Sequence, residues 1–300
     1  MFFKPKRPTD GYFSCWLQGR SGGLAPRTIE SYRSTFKTHI QPYAPVFIND
    51  LTAHHCAAMI RRQQDAGHTR TAVAVYTVLK LLCREALHDK LLRYDPLENI
   101  KRPQHTAKHY QHLHDDQIGA YLRIAEHDRL ALAWLLALCC GLRRGELCGL
   151  RWSDIDFMHM VMHISNQRVT VDGQTLDTPP KSESGNREIP IPGQLLPLLA
   201  IHQQASGYVL QHGGKPYTPF GLDQAHRRMC ARAGLPAMTL HGLRHTMATA
   251  AISSGVSVKT LQCLLGHASY RVTADTYAHV EDDVKAAAVD SISGHMVSCG

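Results

Sequence analysis

The sequence predicts a mainly α-helical protein with one small antiparallel sheet, divided into two domains. Three observations predict it. Apolar residues recur at helical spacing over most of the chain. The period changes to alternation only between residues 157 and 192. One segment, 93–113, carries Pro96, Pro103, Lys101 and Arg102 but little apolar period, which marks a linker. Three hundred residues suffice for two domains of ordinary size. The expected division is a tail over 1–10, a helical domain over 11–95, a linker over 96–112, a second domain over 113–290 and a tail over 291–300.

In the first domain, Pro26 precedes Ile29, Tyr32, Phe36 and Ile40 at helical spacing, with Arg33 and Lys37 one turn apart beside that stripe. Thr52 is placed to cap a helix reaching Arg62. Residues 71–92 carry Val75, Val78, Leu82 and Ala86 on one face. In the second domain, Asp115 is a candidate cap for a helix through Ile118 and Leu122. An apolar helix over 130–140 ends at Gly141. Val161, His163, Val169, Val171, Ile189 and Ile191 then alternate as strands do, broken by turn signals at Asp172-Gly173 and Ser184-Gly185-Asn186. Helices resume near Leu195, Leu222 and Leu240, and again after Gly255.

Charge is unevenly spread. Residues 1–104 hold 16 Lys and Arg against 8 Asp and Glu, so the net charge of +8 lies wholly in the first third. That suits a domain that grips phosphates, or simply a solvated basic surface. The longest apolar runs fall short of a membrane span, and the first residues lack a secretory core. The nine cysteines include no CxxC pair. A reducing cytoplasm without disulfides is expected. Twenty histidines raise a metal site, with His54-His55, His105 with His109, and His112 with His114 as candidates; none has cysteines at finger spacing, and surface or linker histidines are the simpler reading.

The chemistry-bearing residues form a constellation. His241 and Arg244, three apart on a helix, put an imidazole beside a guanidinium. By itself HxxR is common on surface helices. Arg143 follows Gly141 at a forced turn, and two forked guanidiniums can hold both non-bridging oxygens of a phosphodiester. The plainer reading of Arg143 with Glu146 is a local ion pair, and Arg144 is open to the same reading. His267 follows Leu265-Gly266, and Tyr277 sits in Thr276-Tyr277-Ala278-His279. A tyrosine hydroxyl, with a pKa near ~10, needs positive charge or a base before it attacks anything. Ordinary packing would also account for Tyr277.

Arg143, His241, Arg244, His267 and Tyr277, in that order, resemble the signature of the tyrosine recombinase (phage integrase) family. The stretch Arg143 to Asp156, reading RRGELCGLRWSDID, resembles the first catalytic box of the family, and Leu240 to His279 resembles the second. The likeness runs from about residue 10 to residue 285. Lys181, the one lysine of the hairpin from Pro179 to Pro190, matches the family's hairpin lysine; a solvent-facing turn lysine is its alternative reading. The spacing from His267 to Tyr277 is one residue longer than in many members and resembles that of conjugative-element integrases with a Thr-Tyr pair. The short start favours a layout similar to that of the Xer recombinases, without an arm-binding domain.

The resemblance implies a helical core-binding (SAM-like) domain followed by an α+β catalytic domain. It implies a site-specific recombinase or integrase that breaks and rejoins double-stranded DNA through a 3′-phosphotyrosyl bond, with no metal, ATP or other cofactor. Tyr277 would be the nucleophile, Arg143 and Arg244 the phosphate clamp, and Lys181 the acid for the departing 5′ hydroxyl. His241 would be base and then acid, and His267 a hydrogen-bond donor. Implied partners are the recombination site, three further copies in a tetrameric synapse docked through residues 282–289, and a directionality factor or DNA-bending protein as a further candidate. The alternatives are a non-catalytic recombinase-derived DNA-binding regulator and a type IB topoisomerase-like enzyme.

Overall fold

The computed structural model describes residues 5–105, 112–180, 182–235, 238–267, 269–270 and 274. The chain falls into two compact units, Met1–Lys108 and His109–Gly300.

The first unit is a helical bundle: α1 (Thr9–Arg20), α2 (Pro26–Thr35), α3 (Ala53–Asp65) and α4 (Thr69–His88). Pro26 opens α2, where its missing N–H costs nothing, and the helix loosens into a π turn over Phe36–Ile40. Thr52 caps α3 as expected: its hydroxyl accepts from the His55 N–H, and the His55 ring lies 3.3 Å from the Thr52 N–H. Val75, Val78, Leu82 and Ala86 line the buried face of α4. Helix α1 is absent from the sequence reading, which first finds helical period after Pro26. It supplies Tyr12, Phe13, Trp16 and Leu17 to the core, and Phe13 stacks on Phe36 at 3.8 Å between ring centres. Glycines 11 and 19 interrupt the apolar signal there. The helix begins at Thr9, and the Thr9 N–H donates to the Val46 carbonyl. Leu97, from the expected linker, is buried in this core.

The second unit is built around α6 (Ala131–Cys140), which is buried on nearly every side and therefore shows no amphipathic stripe. Around it lie α5 (Asp115–Ala125), α7 (Arg144–Gly149), α8 (Leu196–His202), α9 (Pro219–Arg232), α10 (Leu240–Ser253) and α11 (Val258–Leu265). The cap of α5 is His114 rather than Asp115, which is the first helical residue; the His114 N–H donates to the Gln117 side chain. The strands are β1 (Ile155–Asp156), β2 (Val161–Ile164), β3 (Gln167–Val171), β4 (Gln174–Thr178), β5 (Arg187–Pro190), β6 (Gln211–His212) and β7 (Lys215–Pro216). All pairing is antiparallel. It forms a three-stranded sheet β1-β2-β5 and two separate hairpins, β3-β4 and β6-β7. Asp172 and Gly173 both have positive φ, as a tight two-residue turn between β3 and β4 requires. The β6-β7 hairpin was not foreseen, because two-residue strands carry no measurable alternation.

Two apolar clusters hold the second unit together. The large one holds α6, the β1-β2-β5 sheet and the start of α10. A smaller one is made by Ala248, Ile252, Val258, Leu261 and Leu265 of α10 and α11. Among the described residues, no helix is long and apolar enough to cross a membrane.

Candidate active site

Helix α6 ends at Gly141, which adopts φ +63° and turns the chain sharply. Arg143 then sits in extended backbone at the N-cap of α7. Glu146, one turn on, reaches back: its Oε2 accepts from the Arg143 N–H at 2.8 Å, and its Oε1 from Arg143 Nη1 at 2.7 Å. The local ion pair that offered the plain reading of Arg143 is therefore real. Arg143 Nη2 also donates to the Gly266 carbonyl at 2.8 Å, 123 residues away. Its neighbour Arg144 faces the other way and pairs with Asp223 of α9.

Thr239 caps α10, its hydroxyl accepting from the Gly242 N–H at 3.2 Å. The next turn presents His241 and Arg244. Arg244 is 2% exposed, and a cation so buried needs acceptors. It finds the Gly141 carbonyl at 2.7 Å and the Leu265 carbonyl at 2.5 Å. Arg244 thus spans from the end of α6, in the large core, to the end of α11, in the small one. Both helix C-termini carry partial negative charge and favour a cation.

The end of α11 collects three arginines on successive carbonyls. Leu264 accepts from Arg187 Nε at 2.7 Å, Leu265 from Arg244, and Gly266 from Arg143. Gly266 has φ +63°, and a Cβ there would stand 2.5 Å from the Ser184 carbonyl and 2.9 Å from Arg187 Cδ. Only glycine lets the helix end approach the turn at 183–185 this closely.

His267 follows directly. Burial, with the charges of Arg244, Arg143, His241 and Arg187, lowers its pKa to about 4. His241 keeps an exposed edge, yet burial of the rest of its ring and the charges of Arg244 and Arg143 lower its pKa too. His267 is therefore neutral at pH 7, with one N–H to donate and one nitrogen to accept, and His241 is held toward the same form. Glu146 shows the opposite balance. Burial raises its pKa, but the hydrogen bonds and charge of Arg187, then the charge of Arg143, overcome this and set it to about 2.

Of the six site residues expected from sequence, the fold brings together Arg143, His241, Arg244 and His267. Lys181 and Tyr277 lie outside the described residues. Sequence reasoning passed over Arg187, which binds Glu146 with both guanidinium nitrogens at 2.9 and 3.0 Å. A signal was present. Arg187 and Ile189 are two apart on a strand, so they share a face, and Ile189 is core. Of the candidate metal histidines, His109 lies outside the described residues, and the His105 ring lies 2.9 Å from the Thr69 hydroxyl. His55 serves the α3 cap, and the His112 ring packs on those of His114 and His245.

This arrangement gathers three guanidiniums and two imidazoles, side chains with the chemistry to hold an anion. The family model of the phage integrase family matches residues 111–283, which contain all of it. The chain belongs to the phage integrase family. Membership makes it an enzyme of the tyrosine recombinase class. It is 28% identical over 263 residues to a tyrosine recombinase XerC-like protein of Caldanaerobacter subterraneus, covering 77% of this chain and 67% of the relative. It is 24% identical over 273 residues to the ICEBs1 integrase of Bacillus subtilis, covering 85% and 74%. Among solved structures, the Tn1549 transposon integrase in complex with a circular intermediate DNA superposes with a TM-score of 0.79 at 21% identity, over 95% of this chain and 99% of that one. A lambda integrase dimer bound to a COC' core site superposes at 0.71, also at 21% identity, over 91% and 77%. The mainly helical fold with its small antiparallel sheet is that of these integrases.

Proposed function

We propose that this recombinase cuts and rejoins duplex DNA at specific sites through a 3′-phosphotyrosyl bond to Tyr277. The observation that carries the reading is the meeting of Arg143 and Arg244, from different elements, on adjacent carbonyls at the end of α11, beside His241 and His267. In the reaction, the Tyr277 oxygen attacks the scissile phosphorus and the bond to the 5′ oxygen breaks. Arg143 and Arg244 stabilise the added charge on the non-bridging oxygens of the five-coordinate transition state. His241, held toward its neutral form, accepts the tyrosine proton and returns it on religation. His267 donates a hydrogen bond to the phosphate, and Lys181 protonates the departing 5′ hydroxyl. The ester keeps the bond energy, so religation needs no ATP. The guanidinium and ammonium groups take the role that metal ions fill in two-metal nucleases.

The first unit, with the whole net positive charge, would hold DNA mainly through phosphates. Four copies would act on two duplexes, with residues 282–289 as the docking segment and a directionality or DNA-bending factor setting the outcome. The lambda and Tn1549 neighbours are DNA complexes, one of them a lambda tetramer on a Holliday junction, which supports this assembly.

The test is a covalent trap. Labelled duplexes from the ends and flanks of the element encoding the protein are incubated with wild type and with Tyr277→Phe, then separated under denaturing conditions. An adduct with wild type alone is the expected result. Binding of the same duplexes without any adduct would point instead to a DNA-binding regulator.

A further inference from the structure

The proposed reaction uses two of the three arginines at the end of α11 and leaves Arg187 without a role. Its surroundings are unusual for a side chain that serves folding alone. Its side chain is 6% exposed, and its partners come from three places: Glu146 of α7, the Leu264 carbonyl of α11 and, at 3.2 Å, the Gly185 carbonyl of the preceding turn. Burying a third cation beside two others is costly, and apolar packing would stabilise the same junction at least as well.

Glu146 explains what the third cation does. Each carboxylate oxygen accepts two hydrogen bonds, one from Arg143 and one from Arg187. Oε1 takes Arg143 Nη1 and Arg187 Nη1; Oε2 takes the Arg143 N–H and Arg187 Nη2. The acceptor capacity of the carboxylate is then filled. Without Arg187, the Glu146 carboxylate would be released to close on the Arg143 guanidinium as a two-bond fork, the strongest geometry for that pair. Arg143 would be turned inward and its charge cancelled.

We infer that Arg187 is a positioning residue for strand cleavage: by occupying half of Glu146 and gripping the Leu264 carbonyl, it keeps the Arg143 guanidinium turned to the scissile phosphate. The inference rests on the strand-transfer reading above. Arg187 touches no reacting atom and acts through Glu146 and Arg143.

The test uses Arg187→Lys, which keeps the charge but not the fork. Its crystal structure should show the Glu146 carboxylate closed on Arg143. With the trapped duplex, binding should be unchanged while adduct formation falls about 100-fold, the scale of a misplaced catalytic group. A duplex with a methylphosphonate at the scissile position starts neutral and carries one charged non-bridging oxygen fewer into the transition state, so less rests on the clamp and the loss should shrink to about 10-fold or less. A merely structural role would give equal losses on the two duplexes, and that result would overturn the inference. So would a variant in which Arg143 and Glu146 have not moved. Should wild type bind the duplex yet form no adduct, the strand-transfer reading fails, and the variant crystal structure still decides whether Arg187 holds Arg143.

Discussion

Glu146→Gln is the sharpest probe of how this site is held. Glutamine keeps the size and one carbonyl acceptor, but it removes the charge and turns a donor toward the Arg187 N–H groups. Two routes give the cost. Breaking one partner out of a buried ion pair costs about 3–5 kcal/mol. Independently, the folded pKa of about 2 against an ordinary 4.5 corresponds to about 3 kcal/mol at pH 7. For a unit of this size that is a fall in melting temperature of roughly 6–12 °C. Calorimetry of the whole chain at several pH values is the assay. The sign follows from the depressed pKa: the stabilisation is complete above pH 4.5 and is lost as pH falls toward 2. The gap between wild type and variant should therefore roughly halve by pH 3. A gap that is the same at pH 7 and pH 3, or a melting point unchanged at pH 7, would refute the account of Glu146 as the charged centre of the cluster.

Three further outcomes are expected. His226 is buried with a pKa lowered to about 4 by desolvation, its Nδ1–H donating to the Met238 carbonyl at 3.2 Å. Because the folded pKa is depressed, its contribution of about 3 kcal/mol is present above pH 6.5 and is lost as pH falls to 4. Urea titrations should show a shallower acid loss in His226→Gln, and identical slopes would sink the assignment. Gly266→Ala meets both a left-handed backbone and the Ser184 carbonyl, so it should cost more than about 2 kcal/mol. Gly67→Ala, at φ +72° with nothing within 4 Å, should cost only about 1 kcal/mol. Equal costs, read from denaturant midpoints, would remove the close-approach argument. Finally, Arg33 and Lys37 are exposed on the first unit; changing both to Ala should reduce the slope of log K against log salt for duplex binding by about 2. An unchanged slope, measured by fluorescence anisotropy, would place the phosphate grip elsewhere.

Several features were legible in the sequence because their causes are local. A proline at N1, a threonine at an N-cap and a glycine after an apolar helix act within one turn, so Pro26, Thr52 and Gly141 marked their helix ends correctly. The alternating run over 157–192 did the same for the strands. The order of Arg143, His241, Arg244, His267 and Tyr277 carried the family, because the type and order of residues can be read whatever lies between them. Helix α1 was missed since glycines thin its stripe, and β6-β7 since two-residue strands have no period. What only the tertiary structure decided is who holds the arginines. Arg143 is 123 residues from the carbonyl it meets, Arg187 is 41 from Glu146, and Arg244 is 103 from Gly141. Backbone carbonyls have no sequence signature, since every residue carries one. Which of them become acceptors for a buried cation depends on where helices end in space, and the packing of α10 against both α6 and α11 settles that.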